Sequence, residues 1–242
     1  MHNTSYGGYD TAMSGTQSLA STFATLMRKV YTWMALALAI TGVTAFGISQ
    51  NLNIVYAIAG NPILFWGLFI AELALVFFFS ARLHKMSFLT AGIVFAAYSI
   101  LNGVTMSFIF LAYTMESIAT TFFVTAGTFG AMSLVGFFVK KDLSSVGRIL
   151  FMLLIGLIIA TVVNMFVHSS GLAMVLNYLG VLIFVGLTAW DTQKIKQMFL
   201  QTSQYGVTDE TSKLALMGSL SLYLDFINLF LYLLRIFGGN RN

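Results

Sequence analysis

The sequence predicts an all-α membrane protein, a bundle of seven transmembrane helices, and three observations carry that expectation. Only 20 of 242 residues are Asp, Glu, Lys or Arg, about 8%, where a soluble chain carries roughly a quarter. Hydrophobic residues make up 58% and aromatics 15%, more apolar surface than one aqueous core can hide. The apolar residues also arrive in separate runs near the roughly 20 residues a helix needs to cross about 30 Å of hydrocarbon, without the ten-residue alternating segments of outer-membrane barrels.

Residues 1–27 are rich in Gly, Ser, Thr and Tyr, carry a single charge at Asp10, and read as a mobile polar tail. They do not read as a secretory signal, because Arg28 and Lys29 follow them and introduce a run long enough to span. Spans are expected at Val30–Ser49, Ile63–Ser80, Phe88–Tyr113, Ile118–Val139, Ile149–Val167, Leu172–Trp190 and Leu214–Phe237. Residues 28–238 thus form one seven-helix domain, and 239–242 a short C-terminal tail.

The basic residues test this count. Arg28 and Lys29 precede span one, Arg82 and Lys85 join spans two and three, Lys140, Lys141 and Arg148 join four and five, and Lys194, Lys196 and Lys213 join six and seven. The other three connections contain no Lys or Arg. Since short cytoplasmic loops collect these residues, the alternation predicts a cytoplasmic N terminus and a C terminus on the far side. Arg235 and Arg241 lie at that far end, where Arg235 can run its stem along the bilayer. The net charge of +4 therefore reports topology. No basic run interleaved with aromatics suggests nucleic acid as a partner, and the absence of Cys excludes disulfides and thiolate chemistry.

An ionisable side chain within a span costs at least a few kcal/mol and marks a functional site by default. Three carboxylates qualify: Glu72 in span two, Asp191 at the end of span six, and Asp225 deep in span seven, about 18 Å beyond Lys213 at 1.5 Å per residue. On span seven, Gly218, Ser221, Asp225, Asn228 and Tyr232 recur at steps of three or four and share one face. A helix with such a stripe should be surrounded by the others and turn the stripe to a cavity; alternatively Ser221, Asn228 and Tyr232 are interhelical hydrogen-bonding glue. Asp191 is either a solvated end residue near Lys194 or, if span six continues as a helix to about Leu200, a buried partner of Asp225. Two carboxylates in a low-dielectric site would share a proton and form a pH switch. Glu72 and Asn102 are candidates for the same route. In span five, Gly156, Ala160, Asn164 and His168 fall at steps of four, a packing face, with His168 a lesser candidate for proton handling.

No enzyme is expected. The Gly-x-Gly-Asp and Pro-Ala-Leu sequences of intramembrane aspartyl proteases are missing, as is the span-seven lysine of a retinal protein, and neither a phosphate-cradling loop nor a His/Cys metal spacing occurs. No cofactor is implied.

The segments Val185-Gly186-Leu187-Thr188-Ala189-Trp190-Asp191-Thr192-Gln193-Lys194-Ile195 and Leu222 to Gly238, with its Leu224-Asp225-Phe226-Ile227-Asn228-Leu229 core, together resemble the transmembrane Bax inhibitor motif (Bax inhibitor-1) family in its bacterial inner-membrane branch. The resemblance extends over about Arg28 to Gly238. It implies a seventh helix wrapped by the other six and a pH-sensitive calcium leak gated by two aspartates, which match Asp191 and Asp225. It also implies an arginine latch, for which Arg82 is the candidate, and an acidic residue on the ion route, for which Glu72 is the candidate. Trp190 departs from the Tyr that relatives often carry. Hard oxygen ligands at Glu72, Asp191 and Asp225 suit transient Ca²⁺ rather than a stable metal site. The lipid bilayer, Ca²⁺ and protons are the expected partners. The competing reading is a non-conducting regulatory membrane protein that binds a membrane protease or stress-response complex.

Overall fold

The computed structural model describes the backbone of residues 7–239 and the side chains of residues 19–202 and 204–239. The elements run α1 (Gly7–Ser49), α2 (Leu52–Ala59), α3 (Pro62–Arg82), α4 (Phe88–Met106), α5 (Ile109–Ala112), α6 (Met115–Phe138), α7 (Ser144–Val167), α8 (Ser170–Thr202) and α9 (Asp209–Phe237), with single 3-10 turns at Leu83–Lys85 and Ser203–Tyr205. Seven of the described helical stretches are long and apolar enough to cross a membrane, so the chain is a seven-span membrane protein.

Polar side chains set where the spans begin. Asn61 accepts from the N–H groups of Ile63 and Leu64, with Pro62 at the first helical position, where its missing N–H costs nothing. Ser87 accepts from Thr90 N–H, and Thr114 from Ser117 N–H. Thr208 and Thr211 satisfy each other's backbone donors at the start of α9. In hydrocarbon-facing segments such caps replace the water that would otherwise bond the free N–H groups.

Three expected boundaries are corrected. Of the tail expected over residues 1–27, residues 1–6 lie outside the described residues, and the described part is not a tail: α1 is helical from Gly7, and Leu26 and Met27 belong to the core. Helix propensity of its Ala, Leu and Ser residues does not forbid this, and burial of Leu26 beside Val30 favours it. Span three is not one helix. It breaks after Met106, where the Ser107 hydroxyl donates to Val104 O and the chain restarts as the single turn α5. The first connection contains an unexpected short helix, α2, with Val55 buried, Ile58 partly buried and the rest exposed.

Helix α9 is the centre of the bundle. Leu216, Leu222, Tyr223 and Leu229 are fully buried, and α9 packs on α1, α4, α6 and α8. The wrapping is by four helices rather than six: α3 rests chiefly on α4 and α7 on α8, outside that ring. Small residues allow the close approaches. A Cβ on Gly103 would strike Thr44 and the carbonyl of Thr41 in α1, and one on Gly136 would collide with the backbone of Ala189 in α8.

Candidate functional site

Asp225 lies at the middle of α9 and is 5% exposed. Its Oδ2 has no hydrogen-bond partner among the described residues. A carboxylate oxygen in that condition is costly, and the cost falls only when a proton or a cation joins it. Asp191 shares its cavity. Helix α8 does not stop at Trp190 but continues to Thr202, so Asp191 sits inside a helix, half-buried and facing α9.

The two aspartates line one cavity of about 490 Å³ with Lys194, Ser221, Asn228 and Tyr232. Its remaining wall is apolar, with Leu73 from α3 and Phe151, Leu154 and Ile158 from α7. This is the consequence of α3 and α7 standing outside the inner ring: the space between them leads to the polar face of α9. Gly218 is the exception on that face, packed against Ile195.

A second cavity of about 390 Å³ holds Glu72, Tyr98, Asn102, Thr105 and Asn228. Leu73, Leu224 and Asn228 border both spaces, which places them end to end along α9. Thr105 donates its hydroxyl proton to Glu72 Oε1. Asn102 is 5% exposed and its Oδ1 has no partner among the described residues. Asn228 donates to Leu224 O at 2.8 Å on its own helix. The row thus offers oxygen acceptors from α3, α4, α8 and α9, the donor chemistry that hard cations take.

Arg82 is not brought to the aspartates. It is exposed at the C-terminal end of α3, and the ion pairs found among the described residues are those of Lys213 with Asp209 and Glu210. The cation lining the aspartate cavity is Lys194, one turn from Asp191 and 5.2 Å from the Trp190 ring. His168 lies elsewhere: it ends α7 in the left-handed conformation (φ 54°) with Nδ1 3.0 Å from Phe166 O, exposed. Its backbone role explains the position without proton handling. Thr105 and Tyr98 escaped the sequence reading, although Tyr98, Asn102 and Thr105 recur at steps of four and three on α4. The signal was available, but hydroxyl residues are common in spans and only the third dimension sets them against Glu72.

The family described as "Inhibitor of apoptosis-promoting Bax1" matches residues 23–242. The inner membrane protein YbhL of Escherichia coli is 47% identical over 217 residues, which cover 90% of this chain and 92% of that protein. A Borreliella burgdorferi protein is 45% identical over 218 residues, 89% of this chain and 92% of its own. A membrane protein of Streptococcus pyogenes is 40% identical over 188 residues, 78% of this chain and 80% of its own.

Proposed function

We propose, from the premise that this chain belongs to the Bax inhibitor-1 family, that it is a cation leak of the bacterial inner membrane gated by protonation of Asp191 and Asp225. The observation that carries this reading is Asp225: nine-tenths buried, with an unpartnered oxygen, in one cavity with a second carboxylate. A single shared proton removes the repulsion between the two groups and lets α8 and α9 approach; without it, two like charges in a low-dielectric space push the helices apart. The cation follows the polar face of α9, from Glu72, Asn102 and Thr105 past Asn228 to the aspartates. Ca²⁺ fits an all-oxygen route, and it binds in transit. The chain does this without chemistry on a substrate, and its N terminus faces the cytoplasm.

Purified protein in liposomes loaded with a calcium dye tests the reading. The expected outcome is a flux whose rate depends on pH, with Asp191→Asn/Asp225→Asn conducting at one rate across pH 5 to 8. A double variant with unchanged flux and unchanged pH dependence disproves the gate. A wild-type chain that carries no flux and instead crosslinks to a stoichiometric membrane partner replaces it with the regulatory reading.

A further inference from the structure

Two residues beyond Asp191, Gln193 is 4% exposed, and its side-chain hydrogen bonds reach off its own helix. Its Oε1 accepts from Leu143 N–H at 2.7 Å, and its Nε2 donates to Lys141 O at 2.9 Å and Val139 O at 3.4 Å. These three backbone groups belong to the α6–α7 connection, where no helix supplies partners. Lys196 adds a second tie, its Nζ donating to Phe137 O at 2.6 Å in the last turn of α6. The Thr192 hydroxyl faces Ser133 of α6 at 3.4 Å.

At 100° per residue, Gln193 and Asp191 stand 200° apart, on opposite sides of α8. One side carries the charge toward α9, and the other is lashed to α6. Helix α6 in turn packs directly on α9, with the Phe129 and Phe226 rings 5.5 Å apart. Two close approaches complete the joint: Gly136 against the backbone of Ala189 and Gly147 against the Trp190 ring. Helix α6 is therefore a strut common to both gate helices.

We infer that Gln193 is a positioning residue that fixes the separation of Asp191 from Asp225, by locking α8 to the 139–143 connection. This rests on the gate proposed above. The groups that share Asp191's cavity are Asp225 and Tyr232 of α9 and Lys194 of α8. Helices α3 and α7 present apolar side chains to that cavity, Glu72 lies in the adjoining one, and the sole ionisable residue of α6, Glu116, is at its opposite end.

The chain has no Cys, so spin labels at Gln197→Cys and Met217→Cys, both exposed, report the α8–α9 distance in the full protein. Gln193→Leu keeps the volume and removes all three bonds. The expected result is a single narrow distance in the parent and a shifted or broadened one in Gln193→Leu, together with a displacement of about half a unit or more in the pH midpoint of calcium flux. Lys196→Met, which cuts only the tie to Phe137, should give a smaller change of the same kind and serves if Gln193→Leu does not fold. An unchanged distance in both variants overturns the inference. A changed distance with an unmoved pH midpoint, while Asp191→Asn/Asp225→Asn still abolishes pH dependence, overturns the positioning role and leaves the gate standing. If the double Asn variant has no effect, the gate falls, and the label distances alone decide whether Gln193 sets the spacing.

Discussion

Gly136 is a residue whose importance lies in an absent atom. A Cβ there would collide with the Ala189 backbone, which cannot yield as a flexible side chain would. Gly136→Ala is expected to cost about 1–3 kcal/mol of stability, seen as a lower melting temperature in detergent, whereas Gly127→Ala, which meets open space, should leave it unchanged or raise it. Asp142 gives a prediction in pH. Its Oδ1 accepts from the Ser144 N–H at 2.9 Å and the Ser144 hydroxyl at 2.7 Å, which holds the exposed carboxyl below its ordinary value of 3.8. A depressed value in the folded state means stability that is present above the ordinary value and lost as pH falls through the lowered one. Asp142→Ala should therefore melt below wild type at neutral pH, with the difference closing at pH values under 3.8. At this scale Asp225 was legible in the sequence, because a carboxylate among Leu and Phe is conspicuous by its cost. Gln193 was not: a glutamine near the end of a span looks like a solvated residue until the α6–α7 connection is placed against it.

Helix α8 shows how an element can matter more than its hydropathy. Its apolar run ends at Trp190, yet the helix persists to Thr202 because Thr192, Gln193, Ile195 and Phe199 are buried against neighbours. Tertiary packing, rather than propensity, carries those last three turns, and it places Asp191 within a helix instead of a loop. The following helix depends on its first turn. Thr208→Ala removes the reciprocal cap with Thr211 and should cost about 1 kcal/mol, measured as a lower melting temperature and faster hydrogen exchange at residues 209–212. The break of span three after Met106 and the short α2 could not be read from apolar runs, since hydropathy records which segments avoid water and not whether their backbones are continuous.

Across the whole molecule, the distribution of basic residues predicts sidedness. In intact cells, an impermeant thiol reagent should label Gln50→Cys and reach Ser145→Cys only after permeabilisation; the reverse pattern would place the termini the other way round. Both positions are exposed, and the natural absence of Cys keeps the background clean. The architecture also fixes where open space lies within the bundle. Because α9 is held by four helices while α3 and α7 stand aside, the polar face of α9 meets two cavities instead of packed side chains. By itself the sequence determined the solvent, the seven spans, the buried carboxylates and the family, because each follows from transfer energies or from short patterns along the chain. Tertiary structure alone decided that Asp191 shares a cavity with Asp225 while Arg82 stays at the surface, that Thr105 bonds Glu72, and that α6 packs on both α8 and α9. These depend on distances between residues tens to hundreds of positions apart, which packing sets and periodicity does not record.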